Sequence, residues 1–265
     1  MIPFILNAYK VDGNALVLTD QSRWICEYAG FNPPKASLYS SAMAGMNGAK
    51  FQGSRLNTRN IVLTFTIFHD IPASRLQLYD YFRIGDYVKL EYRGNRNVWI
   101  DGYIETIQND QFKSTPHKQV MQVSILCYDP DFKDLDSVSV AKDPNSPTLS
   151  VYYGGSVPTG FEADFSFTGA ITKIALRVGI AGGILTINEA FDSGDFLHIS
   201  TVKGKKTVKK TSGGSTTNIM SSVQYGSTWP QLKSGNNSIV CAVGVNDDPQ
   251  NYSAVYKFTP LYEEV

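Results

Sequence analysis

The strongest constraint on the fold is the alternation of apolar and polar residues in short runs. It is clearest in NIVLTFTIF (60–68), YVKLEYRG (87–94), VWIDGYIETI (98–107) and QVSILCYDP (122–130). Successive side chains of an extended chain point to opposite faces, so a period of two describes strands with one buried and one wet face. In the last run Val123, Ile125 and Cys127 fall on one side, and Gln122 and Ser124 on the other. Charged residues make up 18% of the chain and aromatics 12%, with 22 glycines. That composition suits short strands and tight turns better than long charged helices. One stretch departs from the pattern. In PASRLQLYDYFRIG (72–85), Leu76, Tyr79 and Phe82 recur at helical spacing, Pro72 can open a helix and Gly85 can end it. The expectation is one helix packed on a sheet through those three residues.

The segment DPDFKDLDSVSVAKDPNSP (129–147) breaks the rhythm with Asp, Ser and Pro, as a domain boundary would. Beyond it ADFSFTG, ITKIALRVG, ILTINEAF, DFLHISTV, KTVKK, NSIVCAV and AVYKFTP are short strands at close intervals with turn residues between them. That is the pattern of an antiparallel sandwich. The reading is therefore mainly β: an N-terminal β-rich domain with one α-helix over 1–135, a linker over 136–147, and a β-sandwich domain over 148–265.

Charge and motifs exclude several function classes. At 265 residues the chain can hold two domains of ordinary size, and its 24 basic residues balance 24 acidic ones, so no long-range field favours a polyanion or an acidic membrane. Cys26, Cys127 and Cys241 are odd in number and far apart, unlike a secreted disulfide framework, and the last two sit in apolar strand patterns as small core side chains. The opening MIPFILNAYK lacks the basic region and cleavage pattern of a signal peptide, and no run of about 18 apolar residues occurs. The expectation is a protein of a reducing, aqueous compartment with no membrane insertion.

His69, His117 and His198 have no second His or Cys at metal-ligand spacing. There is no G-x-S-x-G elbow, and AMAGMNGAKFQGSR (42–55) has glycines without phosphate-loop spacing. It reads as a mobile surface loop or an arm that orders against a partner. A pair of carboxylates meeting in space stays open as a glycosidase arrangement but has no positive support. No enzyme, metal or cofactor is expected.

TVKGKKTVKK (201–210) holds five lysines and reads as two strands around a Lys-Gly-Lys turn, with the charges on the exposed face and edge. It lacks the interleaved aromatics of a single-strand nucleic-acid site.

RNIVLTFTIFHD, LYDYFRIGDYVKLEY, WIDGYIETI and VSILCYDPDF in the first half, then FDSGDFLHIST, the lysine hairpin and TWPQLKSGNNSIV in the second, resemble in their order the distal tail protein (Dit) family of siphophages. The resemblance covers nearly the whole chain. It implies a structural protein whose second domain is a galectin-like antiparallel β-sandwich. In this reading a homohexamer closes a ring through the first domain. One face of the ring stacks on the tail tube protein and the other receives the tail-tip hub protein, with a receptor-binding protein as a further partner. DNA passes through the bore without sequence-specific contact, and the location is the distal end of the virion tail after assembly in the host bacterial cytoplasm. Ring contacts are expected within 1–130. Candidate interface residues are Met46, Lys50, Phe51, Arg55 and Arg59 in or near SAMAGMNGAKFQGS, and Phe112 and His117 in the hairpin from Gly102 to Gln122. The alternative is a carbohydrate-binding baseplate or host-adhesion module. The chain lacks the His-x-Asn-Pro-Arg and Trp-Gly-x-Glu elements of galactose-binding galectins, and Trp229 reads as a packing residue.

Overall fold

The computed structural model describes residues 4–42, 44–45, 47–115, 117–143, 146, 148–179 and 183–265, with 110–115 described by their backbone alone. Two compact units divide the chain: Met1–Leu135 with Tyr262–Val265, and Asp136–Leu261. Residues 136–141, inside the expected linker, fall in the second unit, and the last four residues return to the first.

The first unit contains β1 (Ile5–Tyr9), β2 (Ala15–Val17), β3 (Trp24–Ala29), β4 (Ala36–Ala42), β5 (Ala49–Leu56), β6 (Arg59–Ile67), α1 (Ile71–Tyr81), β7 (Tyr87–Arg93), β8 (Asn97–Thr115), β9 (Lys118–Cys127) and β10 (Phe132–Asp134). Its main sheet runs β2-β1-β7-β8-β9-β6-β3, with β10 paired to β8. The alternation sets which face is buried. Ile61, Leu63, Phe65 and Ile67 of β6 and Val123, Ile125 and Cys127 of β9 all lie in one core, while the intervening residues reach the other face.

The helix forms where expected, and the expected inward face holds in part, since Phe82 is buried and Tyr79 packs partly buried against the core. Ser74, Leu78 and Tyr81 are buried, Phe82 follows at the C-terminal cap, and Leu76 is 58% exposed. Ser74 can occupy an interior position because its hydroxyl donates to the His69 carbonyl at 2.9 Å, so no polar group is left unpaired. Asp70, at φ 42°, turns the chain into the helix and Pro72 lies in its first turn, where a missing N–H costs nothing.

The second unit is a two-sheet antiparallel sandwich. Its strands are β11 (Val138–Ala141), β12 (Thr148–Tyr153), β13 (Glu162–Phe167), β14 (Ile174–Val178), β15 (Ile184–Ile187), β16 (Phe196–Ser200), β17 (Thr207–Ser212), β18 (Ser215–Asn218), β19 (Gly235–Val243) and β20 (Tyr252–Phe258). One sheet is ordered β11-β20-β13-β16-β17-β18 and the other β12-β19-β14-β15. Between them lies a core rich in rings, including Phe161, Phe165, Phe167, Phe191, Tyr252 and Tyr256. The lysine stretch is a β16–β17 hairpin: Ile199 pairs with buried Val208, and Gly204 supplies the positive φ of the turn. Two of its lysines are held locally, Lys210 by Asp195 at 3.1 Å and Lys206 over the Trp229 ring at 5.4 Å. Trp229 itself is half-buried and packs against the second core. No helix among the described residues is long and apolar enough to cross a membrane.

Candidate assembly surface

The stretch read as a loop or arm is a β-hairpin. Strands β4 and β5 pair antiparallel as a sheet of their own. An isolated two-stranded ribbon is marginal in water, so such an element calls for a partner surface. A β-bulge between Tyr39 and Ser40 decides its chemistry. Ala36 lies opposite Leu56 and Leu38 opposite Ser54, but beyond the bulge Ser40 lies opposite Phe51. The extra residue therefore brings Phe51 onto the face that carries Leu38 and Leu56. Leu38 is 71% exposed and Phe51 63%. Arg55 and Lys50, opposite Ser37 and Ser41, share the other face with Tyr39.

Of the candidate interface residues, Lys50, Phe51 and Arg55 are thus gathered on one exposed ribbon. Met46 lies outside the described residues. Phe112 belongs to β8, but its side chain is also outside them. His117 is exposed in the turn between β8 and β9.

Arg59 does not belong with the others: it is 1% exposed. Its Nε donates to the Pro130 carbonyl at 2.7 Å. Nη1 donates to those of Gly30 at 2.8 Å and Asn32 at 2.6 Å, and Nη2 to that of Glu263 at 2.6 Å. The guanidinium also lies 4.5 Å from the Phe132 ring centroid. Burial lowers its pKa from the usual arginine value, an effect opposed by nearby Asp131 and Glu263, and the group remains a cation. A planar fork of five donors can satisfy carbonyls from several segments at once, which is why this cation is tolerated inside. Arg59 is an internal tie of the first unit, unavailable to a partner.

A second surface escaped the sequence reading. On the face of the main sheet opposite the core, Tyr9, Lys89 and Asp101 form one cross-strand row, Tyr87 pairs with Tyr103, and Trp99 pairs with Lys133. The Lys89 ammonium lies 4.8 Å from the Trp99 ring and 5.8 Å from the Tyr9 ring. Lys133 lies 4.6 Å from Trp99 and pairs with Asp101 and Asp129, each at 3.1 Å. Those carboxylates outweigh the burial that would lower the Lys133 pKa, so its net shift is upward. Tyr87 meets Tyr103 edge-on at 5.9 Å, and Tyr103 meets Tyr128 at 6.0 Å. Tyr128 is 67% exposed. A groove of about 460 Å³ runs between Tyr9, Lys10, Val11, Tyr87, Lys89 and Tyr103. The period-two pattern did place these residues on a wet face. Their gathering into one patch depends on strand order, which local sequence does not record.

Neither surface resembles a catalytic centre. Among the described residues no group of three or more His, Cys, Asp or Glu is placed to hold a metal. Burial raises the Cys26 and Cys127 thiols to about 12 and Cys241 to about 11, far from nucleophile range. His198 contacts Asp164 through Nδ1 at 2.7 Å, and Lys257 reaches the other carboxylate oxygen at 3.2 Å, on the second unit's larger sheet.

Residues 154–259 match the family described as Siphovirus-type tail component, C-terminal domain. Among solved structures, the Dit protein of phage SPP1, titled a paradigm of the hub adsorption apparatus in phages infecting Gram-positive hosts, aligns at 16% identity over 96% of this chain and 98% of that one, with a TM-score of 0.73. That likeness concerns the fold alone, over 96% of the chain. A chain of the phage P2 baseplate in its calcium-activated conformation aligns at 9% identity over 99% of this chain and 100% of that one, with a TM-score of 0.49. No curated protein matches the sequence.

Proposed function

We propose that this protein, a siphovirus-type tail component by the family to which its residues 154–259 belong, is the structural hub ring between the tail tube and the tail tip. The observation that carries the reading is that family match, set in a whole chain with the fold of the SPP1 Dit protein. The expected assembly is a homohexamer closed through the first unit. It stacks on the tail tube protein, receives the tail-tip hub protein on its other face, and sits at the distal end of the virion tail with a receptor-binding protein as a further partner.

Physical features of the chain agree with this role. A closed ring needs two different surfaces on each copy whose contact closes by rotation. The first unit presents an apolar ribbon without a core of its own and a separate aromatic sheet face. The balanced charge leaves no field that would grip DNA passing through a bore.

The test is solution mass across a concentration series, by light scattering coupled to gel filtration, with negative-stain images of the chain alone and with the tail tube protein of the same phage. Ring particles near about six chains support the hub. A strict monomer that forms no ring even with its tail partner sinks it.

A further inference from the structure

We infer that the β16–β17 turn and the β17–β18 hairpin bind a phosphodiester-linked polyol chain, with Lys203, Lys205, Lys206 and Lys209 on its phosphates and Thr211 and Thr216 beside its hydroxyls. Such a chain is an anionic polymer whose repeats carry hydroxyls and no bases. The site goes beyond the hub reading, and one copy of the chain contains all of it.

The charge balance of the whole chain conceals a local excess. From Phe196 to Asn246 there are six lysines and no Asp, Glu or Arg. Lys210 is engaged by Asp195 at 3.1 Å, but Lys203, Lys205, Lys206 and Lys209 are all exposed. Carboxylates on the adjoining strands have cations of their own. Asp164 meets His198 at 2.7 Å and Lys257 at 3.2 Å, and Glu162 stands opposite Lys257 across the β13–β20 pair. The four exposed lysines therefore hold a positive field at this part of the surface.

Their arrangement is extended rather than convergent. Gly204, at φ 76°, turns the chain among the first three, and Lys209 follows Lys206 by three residues along β17. At about 3.3 Å per strand residue that is a separation of roughly 10 Å. Ammonium groups set out along a line suit the spaced phosphates of a chain better than one compact anion, and each takes a phosphate as a point charge.

The neighbouring side chains indicate what links those phosphates. Val208 points into the core, so Lys209 and Thr211 face outward. Across the strands, Lys209 stands between His198 and Asn218, and Thr211 between Phe196 and Thr216. The Thr211 and Thr216 hydroxyls meet at 2.8 Å, and Phe196 is 53% exposed. Hydroxyls and an amide can exchange hydrogen bonds with a polyol, and one phenyl ring can cover its C–H groups. A protein partner fits less well, because the centres of protein contacts are poor in lysine and serine and rich in aromatics and arginine. Single-stranded nucleic acid stacks successive bases on a series of rings. Here Trp229 is half-buried with Lys206 over it at 5.4 Å, and Phe196 is one ring among hydroxyls.

The test titrates the full-length chain with synthetic poly(glycerol phosphate) by calorimetry at roughly 50 and 200 mM salt. With the counterion coefficient of a flexible single strand, four phosphate contacts give a log K against log salt slope near about −2.8, or about 50-fold weaker binding at the higher salt. Lys205→Gln with Lys209→Gln should halve that slope to about −1.4 and keep the wild-type circular dichroism, since both positions are exposed. Thr211→Val with Thr216→Val should weaken poly(glycerol phosphate) binding several-fold and leave binding of inorganic polyphosphate, which has no hydroxyls, unchanged. Lys35→Gln with Lys118→Gln removes two exposed cations of the first unit and should bind as wild type does.

Absence of saturable binding by wild type overturns the proposal, as does an unchanged slope in the Lys205/Lys209 variant or an equal loss in the Lys35/Lys118 variant. A threonine variant that binds both polymers as wild type does removes the polyol from the assignment. DNA with the same number of phosphates binding as tightly would make the site a general polyanion contact, and equal binding of neutral dextran would make it a glycan site; either result overturns it too.

Discussion

Replacing Arg59 with methionine tests how the first unit is held together. The substitution keeps a long, flexible side chain but deletes the donors that serve the carbonyls of Gly30, Asn32, Pro130 and Glu263. Hydrogen bonds to a charged group contribute about 1.5–3 kcal/mol each, and a buried carbonyl left unpaired costs about 1–3 kcal/mol. Against this, methionine avoids the several kcal/mol needed to desolvate a cation. The balance falls near the ~3–5 kcal/mol typical of breaking a buried charged arrangement, so about 4 kcal/mol is expected. For the roughly 140 residues of the first unit, unfolding entropy near 2.1 cal/mol/K per residue converts this to a Tm drop of about 14 °C.

Differential scanning calorimetry should show the first unit's transition moving by that amount while the second unit's, with its own core, stays in place. Arg59→Lys should give an intermediate loss, because one ammonium cannot reproduce a planar fork. A Tm shift under about 3 °C for the methionine variant would refute the reasoning. It would mean that water or other donors satisfy those carbonyls at little cost.

Two further outcomes follow from the second unit and from the thiols. The Asp164 pKa is lowered overall: burial raises it, but the hydrogen bonds and charges of His198 and Lys257 outweigh that. A depressed folded pKa means its contribution is in place above the ordinary value of 3.8 and is lost as pH falls through the lower folded value. Asp164→Asn should therefore lower the second unit's stability at pH 6 by less than about 1 kcal/mol, since the group is partly exposed, and flatten the decline expected below pH ~4 in an acid titration of Tm. An unchanged acid profile would show the cluster to be energetically silent. Cys26, Cys127 and Cys241 are buried free thiols with pKa values raised to about 12, 12 and 11. They should resist a thiol-titrating disulfide reagent in the folded chain at pH 8 and all react in denaturant. Rapid labelling of any of them without denaturant would contradict their burial.

Local patterning determined a good deal. The period of two in 60–68 and 122–130 fixed which side chains enter the core, because neighbouring residues of a strand cannot share a face. Val208 opposite Ile199 around a glycine turn likewise made the lysine stretch a hairpin, but the expected edge position fails because β18 pairs with β17 and covers it. The presence of the helix was legible from Pro72, in its first turn, though it ends at Phe82, before Gly85. Its buried face was legible only in part: Phe82 and Tyr79 reach the core, but Leu76 stays exposed and Ser74 lies inside, its hydroxyl donating to the His69 carbonyl. The glycines around 45–53 suggested freedom, and pairing between β4 and β5 turned that stretch into a ribbon whose bulge regrouped Phe51 with Leu38.

The decisions left to tertiary structure all involve groups far apart in the chain. Arg59 reads as a surface cation until carbonyls as remote as that of Glu263, 204 positions away, converge on it. Tyr9, Tyr87, Trp99, Tyr103 and Tyr128 become one surface only because β1, β7 and β8 lie side by side and Tyr128 meets the Tyr103 ring. The sequence by itself determined the strands and which of their faces are buried, because those follow from the backbone's own period. Only the tertiary structure decided which cation is interior and which aromatics act together, because those depend on strand order and on carbonyls that no short stretch can supply.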